Sequence, residues 1–193
     1  MLIQRITRLL SKQERDREDS ESPPATPLEL VVTTAVLSLI PTLCGYIATA
    51  HIGWDIGVRD AYTLPAGIAI YIAIAAFVSF NVGVYVMGFA ICWLGQTFDV
   101  KPDPLRCIEL AILTSAPLFL TGFVALYPVF YIDVIVGMLA LAVSIYLLYV
   151  GVPIYMRVSK ETGFIYSTWI ASLGLIMLVV FMGLSVFIFS WLT

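Results

Sequence analysis

The chain has 193 residues, of which 61% are hydrophobic and only 12% are charged, and its net charge is −3. A soluble domain is about one-quarter charged, so this composition excludes a water-soluble globular fold. The negative net charge also excludes nucleic-acid binding, which requires a basic surface.

The N-terminal region, residues 1–27, is the most highly charged part of the chain. Residues 1–13 are too short to span a bilayer, and their pattern predicts an amphipathic helix lying on the membrane surface. The alternative is a frayed tail that becomes helical only on contact with lipid. Residues 14–27 are polar and proline-rich, which predicts a solvated, extended linker. The apolar face of the helix carries Leu2, Ile3, Ile6, Leu9 and Leu10, and its basic face carries Arg5, Arg8 and Lys12.

Five apolar runs follow, and each is long enough to cross the membrane. A helix of about 20 apolar residues crosses a hydrocarbon core of about 30 Å. Because no run alternates as a barrel strand does, all five are predicted to be helices. The sequence therefore predicts an all-α fold, a polytopic membrane helical bundle formed by residues 28–193. The predicted spans are residues 28–50, 64–95, 105–126, 129–150 and 165–191.

The second and third runs raise the question of how many spans there are. The second run, 64–95, is 32 residues long and contains no turn signal. Two spans and a turn need about 40 residues, so we expect one long helix, tilted or projecting beyond the bilayer. Only Tyr127 and Pro128 separate the third run from the fourth, which predicts a tight antiparallel hairpin.

The distribution of Lys and Arg predicts the orientation. With the N-terminus inside, nine of the ten Lys and Arg residues lie in cytoplasmic segments, and only Arg59 lies outside. Positive residues are enriched in cytoplasmic loops, so we expect a cytoplasmic N-terminus and a periplasmic C-terminus. The nine are Arg5, Arg8, Lys12, Arg15, Arg17, Lys101, Arg106, Arg157 and Lys160.

Three polar residues inside the predicted spans are candidate functional residues, because such residues are expensive in a membrane. Asn81, at the middle of the second span, is expected to make an interhelical hydrogen bond, with a substrate contact as the alternative. Glu109 lies three residues after Arg106, so we expect an ion pair on one helix face rather than a functional carboxylate. Asp133 is expected to be a carboxylate that reaches the outer interface rather than part of a proton relay.

Two prolines and a row of small residues are further candidates. Pro41 and Pro117 each kink a span and free the carbonyl four residues earlier, at Leu37 and Leu113. The hydroxyls of Ser38 and Thr114 can help to satisfy this freed backbone. A static packing kink is expected at each proline, with a mobile hinge as the alternative. The row consists of Ala75, Ser79 and Gly83, spaced by four, and it permits close helix contact within the bundle or between copies.

No catalytic, metal or cofactor site is predicted. His51 is the single histidine, so neither a zinc cluster nor a Ser/His/Asp set can be assembled. The cysteines Cys44, Cys92 and Cys107 lie in or beside apolar runs and form no CxxC motif. We interpret them as small buried hydrophobic side chains.

Several short segments together resemble the Yip family (Ypt/Rab-interacting proteins), in particular its small bacterial branch of YohC-type inner-membrane proteins. The resemblance runs from about residue 28 to the C-terminus and is strongest over 116–163. The segments are His51-Ile52-Gly53-Trp54, Ala116-Pro117-Leu118-Phe119-Leu120 with Gly122, Ala125-Leu126-Tyr127-Pro128, Tyr146-Leu147-Leu148-Tyr149-Val150-Gly151-Val152-Pro153 and Lys160-Glu161-Thr162-Gly163.

The resemblance implies a five-span fold in the bacterial inner membrane and no assigned reaction. Eukaryotic members associate with Rab GTPases in vesicle traffic. This chain lacks the Asp-Leu-Tyr-Gly-Pro stretch that precedes the first span in those members, which argues against a GTPase partner. We therefore expect a non-enzymatic scaffold, assembly factor or membrane organiser. Its expected partners are the lipid bilayer and a membrane protein or further copies of itself. The alternative is a small-solute or ion transporter whose kinked spans one and three line a path.

Overall fold

The computed structural model describes residues 25–53, 63–98, 100–127 and 129–192. Within them, five helices are long and apolar enough to cross a membrane, as predicted. The predicted surface helix over residues 1–13 and most of the linker lie outside the described residues. The helices are α1, Pro27–Ile47, continued by a π-helical turn at Ala48–Ile52; α2, Ala66–Thr97; α3, Pro104–Leu120, continued by a 3-10 segment at Thr121–Leu126; α4, Phe130–Met156; and α5, Lys160–Leu192.

Capping side chains and prolines determine where α1 and α3 begin. Thr26 and Glu29 form a capping box, in which the Glu29 amide donates to Thr26 Oγ1 at 3.4 Å and the Thr26 amide donates to Glu29 Oε2 at 3.1 Å. Asp103 accepts from the Leu105 amide at 3.0 Å at the start of α3. A proline follows each cap, where its missing N–H costs nothing. Both helices therefore begin within one residue of the predicted position.

The second apolar run forms one helix, α2, of 32 residues, and this confirms the count of five spans. The third and fourth spans form the predicted hairpin, since α3 and α4 pack closely and only the 3-10 segment and a few residues connect them. We use "inner end" for the end of the bundle that holds the α2–α3 and α4–α5 connections, and "outer end" for the opposite one.

The helix of the fourth span, α4, continues to Met156, six residues beyond the predicted end of the span at residue 150. Gly151 and Pro153 resemble a stop signal, yet both lie inside the helix. A Cβ built on Gly163 of α5 would lie 2.7 Å from Pro153 Cγ, so the proline ring packs directly against α5. This packing holds the helix together where local sequence would end it. The helix ends instead at Arg157, whose φ of 53° is left-handed.

The inner connection between α4 and α5 is shorter than the predicted segment 151–164. α5 begins at Lys160 rather than at residue 165. Ser159 Oγ accepts from the Thr162 amide at 3.2 Å, which is the contact of an N-cap. Only residues 157–159 therefore separate the two helices.

α3 is the central helix of the bundle. It packs against α1, α2 and α4, while α5 packs against α4 and α2. Tyr166 of α5 is fully buried, donates a hydrogen bond to the carbonyl of Ile91 in α2, and packs its ring 5.2 Å from that of Phe98. Long apolar side chains on the outer faces of α2, α4 and α5 remain exposed, as expected for surfaces that contact lipid.

Cys92 and Cys107 form a disulfide between α2 and α3, with their Cα atoms 5.8 Å apart. The interpretation of these two cysteines as independent hydrophobic side chains was therefore wrong. The antiparallel arrangement of α2 and α3 brings both to one level near the inner end. Their similar distances from the helix connection were the signal in the sequence. Cys44 is a buried free thiol, as expected.

Candidate functional site

Pro41 lies at the closest contact between α1 and the end of α3. A Cβ built on Gly122 would lie 2.4 Å from Pro41 Cα and 2.7 Å from its nitrogen. The backbone of α1 at the kink therefore rests on the 3-10 segment that follows Pro117. A kink packed this tightly favours the static interpretation over a mobile hinge.

The hydroxyls near the prolines bond to carbonyls other than those expected. Ser38 Oγ donates to the Ala35 carbonyl at 3.0 Å, and Thr114 Oγ1 donates to the Leu110 carbonyl at 2.9 Å. A hydroxyl on a helix reaches back to a carbonyl three or four residues earlier. The carbonyls that Pro41 and Pro117 free belong instead to the residues directly before Ser38 and Thr114.

Asn81 makes the predicted interhelical hydrogen bond. Its Nδ2 donates to Ser38 Oγ of α1 at 2.8 Å and to the carbonyl of Phe77 at 2.8 Å. Both amide hydrogens thus have acceptors inside the bundle. Asn81 joins α1 to α2 one turn away from the kink at Pro41.

Glu109 lies in the wall of a cavity of about 290 Å³ between α1, α3 and α4. The residue is only 8% exposed. The ion pair predicted with Arg106 stays a prediction, and Arg106 does not line the cavity. The lining residues are Ala25, Leu28, Glu29, Leu30, Val32, Thr33, Glu109, Ile112, Leu113 and Tyr155.

Sequence reasoning missed the other polar groups of this cavity. Glu29 and Thr33 lie on the first turns of α1, and Tyr155 lies near the end of α4. These three positions are distant in sequence but meet at the inner end, because α1 and α3 begin there and α4 ends there. The presence of Glu29 at the start of an apolar span was the one signal available.

Asp133 lies at the opposite end of the bundle from Glu109. It is in the first turn of α4, at the outer end, and is half-buried. Its Oδ2 atom is buried and has no hydrogen-bond partner among the described residues. The structure therefore brings Pro41, Asn81 and the end of α3 together but leaves Glu109 and Asp133 in separate places.

The small residues of α2 face partly outward. Ala75 is exposed, Ser79 and Gly83 are half-exposed, and a Cβ built on Gly83 would meet nothing within 4 Å. Gly83 therefore does not provide close packing within the bundle.

Among residues 25–53, 63–98, 100–127 and 129–192, no group of three His, Cys, Asp or Glu side chains could hold a metal ion.

The fold and these polar positions define a five-span, α-helical integral membrane protein. The Yip1 domain model matches residues 12–184, and the chain belongs to this family. It is 32% identical over 156 residues to the inner membrane protein YohC of Escherichia coli (strain K12), covering 81% of this chain and 80% of that protein. Inner membrane protein YohC of Escherichia coli O6:H1 (strain CFT073) matches with the same identity and coverage. No solved structure matches at a significant level. The chain is accordingly a multi-pass protein of the bacterial inner membrane.

Proposed function

We propose that this chain is a non-enzymatic scaffold or organiser that acts in the membrane through protein and lipid contacts. The observation that carries the proposal is that its intramembrane polar side chains do not converge. A transporter gathers its ligands near the middle of the bilayer, around broken helices. Here Asn81 is at the middle of α2, Glu109 near the inner end of α3, and Asp133 at the outer end of α4.

Depth separates these groups. Ten residues of helix cover about 15 Å, so side chains at the two ends and the middle of the bundle cannot share one ligand. In addition, the side-chain amide of Asn81 already donates hydrogen bonds to Ser38 Oγ and to the carbonyl of Phe77 inside the bundle. The other polar groups near the middle of the bilayer are uncharged hydroxyls and carbonyls. An ion that enters the protein needs opposite charge or many oxygen ligands to replace its hydration shell.

The outward row on α2 supports contact with another membrane helix. Small residues spaced by four let two helices approach closely in lipid. Ala75, Ser79 and Gly83 have this spacing, and the space beyond Gly83 is open. A second copy or another membrane protein could pack there.

The row can be tested by in-cell crosslinking followed by identification of the co-purifying proteins. We expect Gly83→Leu to reduce the crosslinked fraction by several-fold, because the larger side chain holds a partner helix away. Gly137→Leu is the matched control, since Gly137 of α4 also has open space beyond its Cα. Equal crosslinking in Gly83→Leu, Gly137→Leu and the unchanged chain would contradict contact between this row and a partner helix.

A transporter is the second candidate function, and the cluster at Pro41 favours it. Asn81, Ser38 and the carbonyl freed by Pro41 lie close together near the middle of the membrane. In this alternative, the kinked spans α1 and α3 line a path.

Reconstitution of the purified chain into liposomes separates the two candidates. We expect no flux of ions or small solutes above that of empty vesicles. Flux that disappears in Asn81→Leu or Glu109→Gln would reject the scaffold and establish the transporter. A stable co-purifying membrane protein without flux would support the scaffold.

A further inference from the structure

We propose that the cavity at the inner end is an apolar groove in which residues 1–13 of the same chain dock, with their apolar face turned into it. The groove lies between α1, α3 and α4. Docking of this segment neither requires nor excludes the proposed scaffold function. Its consequence is that the chain covers its own groove, so that any other apolar occupant must first displace residues 1–13.

The surface of the groove is mainly apolar. Leu30, Ile112 and Leu113 form its walls, and none of them is more than 5% exposed. Leu28 and Val32 form its rim on α1 and are 73% and 52% exposed. A dry apolar cavity of about 150 Å³ takes up one benzene molecule. The groove, at about 290 Å³, therefore admits about two aliphatic side chains.

The buried polar groups of the groove do not call for a ligand. Glu109 and Tyr155 line it, and each already has an interaction partner within the protein. What the groove lacks is cover for its apolar rim, since Leu28 and Val32 are exposed. Burial of such apolar surface is favourable, so the groove suits an apolar occupant better than an ion or a polar solute.

The described part of the chain begins at the groove itself. Ala25, the first described residue, is one of the residues that line it. Residues 14–24 connect Ala25 to the segment 1–13. An extended chain covers about 3.3–3.6 Å per residue, so this connection is long enough to return the segment to the groove. A tether of this kind gives the segment a high effective concentration there.

The segment 1–13 has the sequence pattern of a helix that binds in a groove. Ile6, Leu9 and Leu10 lie on one predicted face, three and four residues apart. Amphipathic helices dock in apolar grooves through side chains at this spacing. The level also fits, because the groove is at the inner end, where α1 begins, and the segment is predicted to lie at the membrane surface.

The charge at the rim favours this segment over a lipid chain. Glu29 lies at the exposed rim, and its Oε2 accepts from the Thr26 amide at 3.1 Å in the capping box. Arg5 is one helical turn from Leu9, at the edge of the predicted apolar face, so a docked helix can bring it to Glu29. A phospholipid whose acyl chain entered at this level would bring its phosphate towards the same carboxylate, which repels it.

Photocrosslinking of the full-length chain in its native membrane tests the docking. A benzophenone-bearing amino acid is placed at Leu28, and the crosslinked peptides are mapped by mass spectrometry. We expect crosslinks to residues 1–13 in a species of monomer mass. The same probe at Val36 is the matched control, since Val36 is 56% exposed on α1 but lies outside the groove. It should give adducts with lipid instead.

Two variants separate docking in the groove from mere proximity at the membrane surface. Thr33→Phe fills the groove from its wall and should abolish the crosslink from Leu28. Leu9→Asp should abolish it as well, and because this change lies outside the helical bundle it covers the case in which Thr33→Phe does not fold.

The contribution of charge is tested with a pair of glutamine variants. Glu29→Gln should lower the crosslink yield about two-fold, as expected for an exposed ion pair. Glutamine also serves in a capping box, so the start of α1 is preserved. Glu161→Gln is the matched control, since Glu161 is an exposed carboxylate outside the groove, and it should leave the yield unchanged.

Three results would overturn the docking proposal. They are adducts of the Leu28 probe with lipid alone, crosslinks to residues 1–13 only in a species of dimer mass, and a yield that survives both Thr33→Phe and Leu9→Asp. A dimer-mass product would mean that a second copy occupies the groove. The scaffold proposal is tested separately, by Gly83→Leu and by the flux assay in liposomes.

Discussion

At the scale of single residues, Gly122 explains how a kinked helix can be tightly packed. The backbone of α1 at Pro41 occupies the place where any other residue at position 122 would put its Cβ. The glycine is therefore required by a close approach of two backbones. Because Gly122 has no Cβ, the 3-10 segment that follows α3 can lie directly against the backbone of α1 at Pro41.

Gly122→Ala should destabilise the chain, because its Cβ would lie 2.4 Å from Pro41 Cα. Overpacking of this kind costs about 1–3 kcal/mol. Denaturation in detergent measures the free energy of unfolding. Gly45→Ala is the matched control, since nothing lies within 4 Å of its built Cβ, and it should be neutral or slightly stabilising. Equal effects of the two substitutions would contradict the contact with Pro41.

Asn81 and Ser38 should be energetically coupled. A double-mutant cycle with Asn81→Ala and Ser38→Ala is expected to give a coupling of about 0.5–1.5 kcal/mol, the range for interhelical hydrogen bonds in membranes. Pairing Asn81→Ala with Ser172→Ala is the control, because Ser172 donates within its own helix to Thr168. The interaction is disproved if the Asn81–Ser38 coupling is no larger than that of the control pair.

Residue roles could be predicted where depth alone determined them. An amide at the middle of a span must find an acceptor, so the bond of Asn81 could be predicted without knowing its partner. The cavity could not be predicted, because Glu29, Glu109 and Tyr155 meet only through the placement of three helices. The Cys92–Cys107 bridge was missed although both cysteines lie at similar distances from the α2–α3 connection, because the pairing also depends on which faces of the two helices meet.

At the scale of elements, length and hydropathy predicted every span, including the single long α2. Helix ends were harder to predict where tertiary packing overrode local signals. The starts of α1 and α3 followed from capping residues that lie next to them in sequence. The end of α4 depended on contact between Pro153 and Gly163, which no local pattern reveals.

The predicted surface helix over residues 1–13 can be tested as an element. A peptide of this sequence should gain helicity on anionic vesicles, because its apolar face is buried and each Lys or Arg near the surface adds about 1 kcal/mol. Circular dichroism and a vesicle binding assay measure both effects, and added salt should weaken the binding. Neutral vesicles are the control. A circular dichroism spectrum that does not change with lipid would count against the helix.

At the scale of the whole molecule, the five candidate spans of the described residues predict that the two termini lie on opposite sides of the membrane, because the number of spans is odd. The nine-to-one distribution of Lys and Arg predicts a cytoplasmic N-terminus. A reporter fused after Thr193 should therefore be active in the periplasm and silent in the cytoplasm. The same reporter after residue 24 should behave in the opposite way. A cytoplasmic C-terminus together with a cytoplasmic residue 24 would mean that the second run was miscounted.

The redox state of the two cysteines that join α2 and α3 provides an independent test of this orientation. Cys92 and Cys107, which form the disulfide, lie at the inner end. In the predicted orientation this end faces the cytoplasm, where glutathione keeps thiols reduced, whereas a pair that faces the periplasm is oxidised. In acid-quenched, denatured cells, an inward-facing pair should accept two maleimide groups and an outward-facing pair none, after correction for Cys44. The two sulfur atoms thereby record, in an unaltered chain and without any fusion, which compartment the inner end faces.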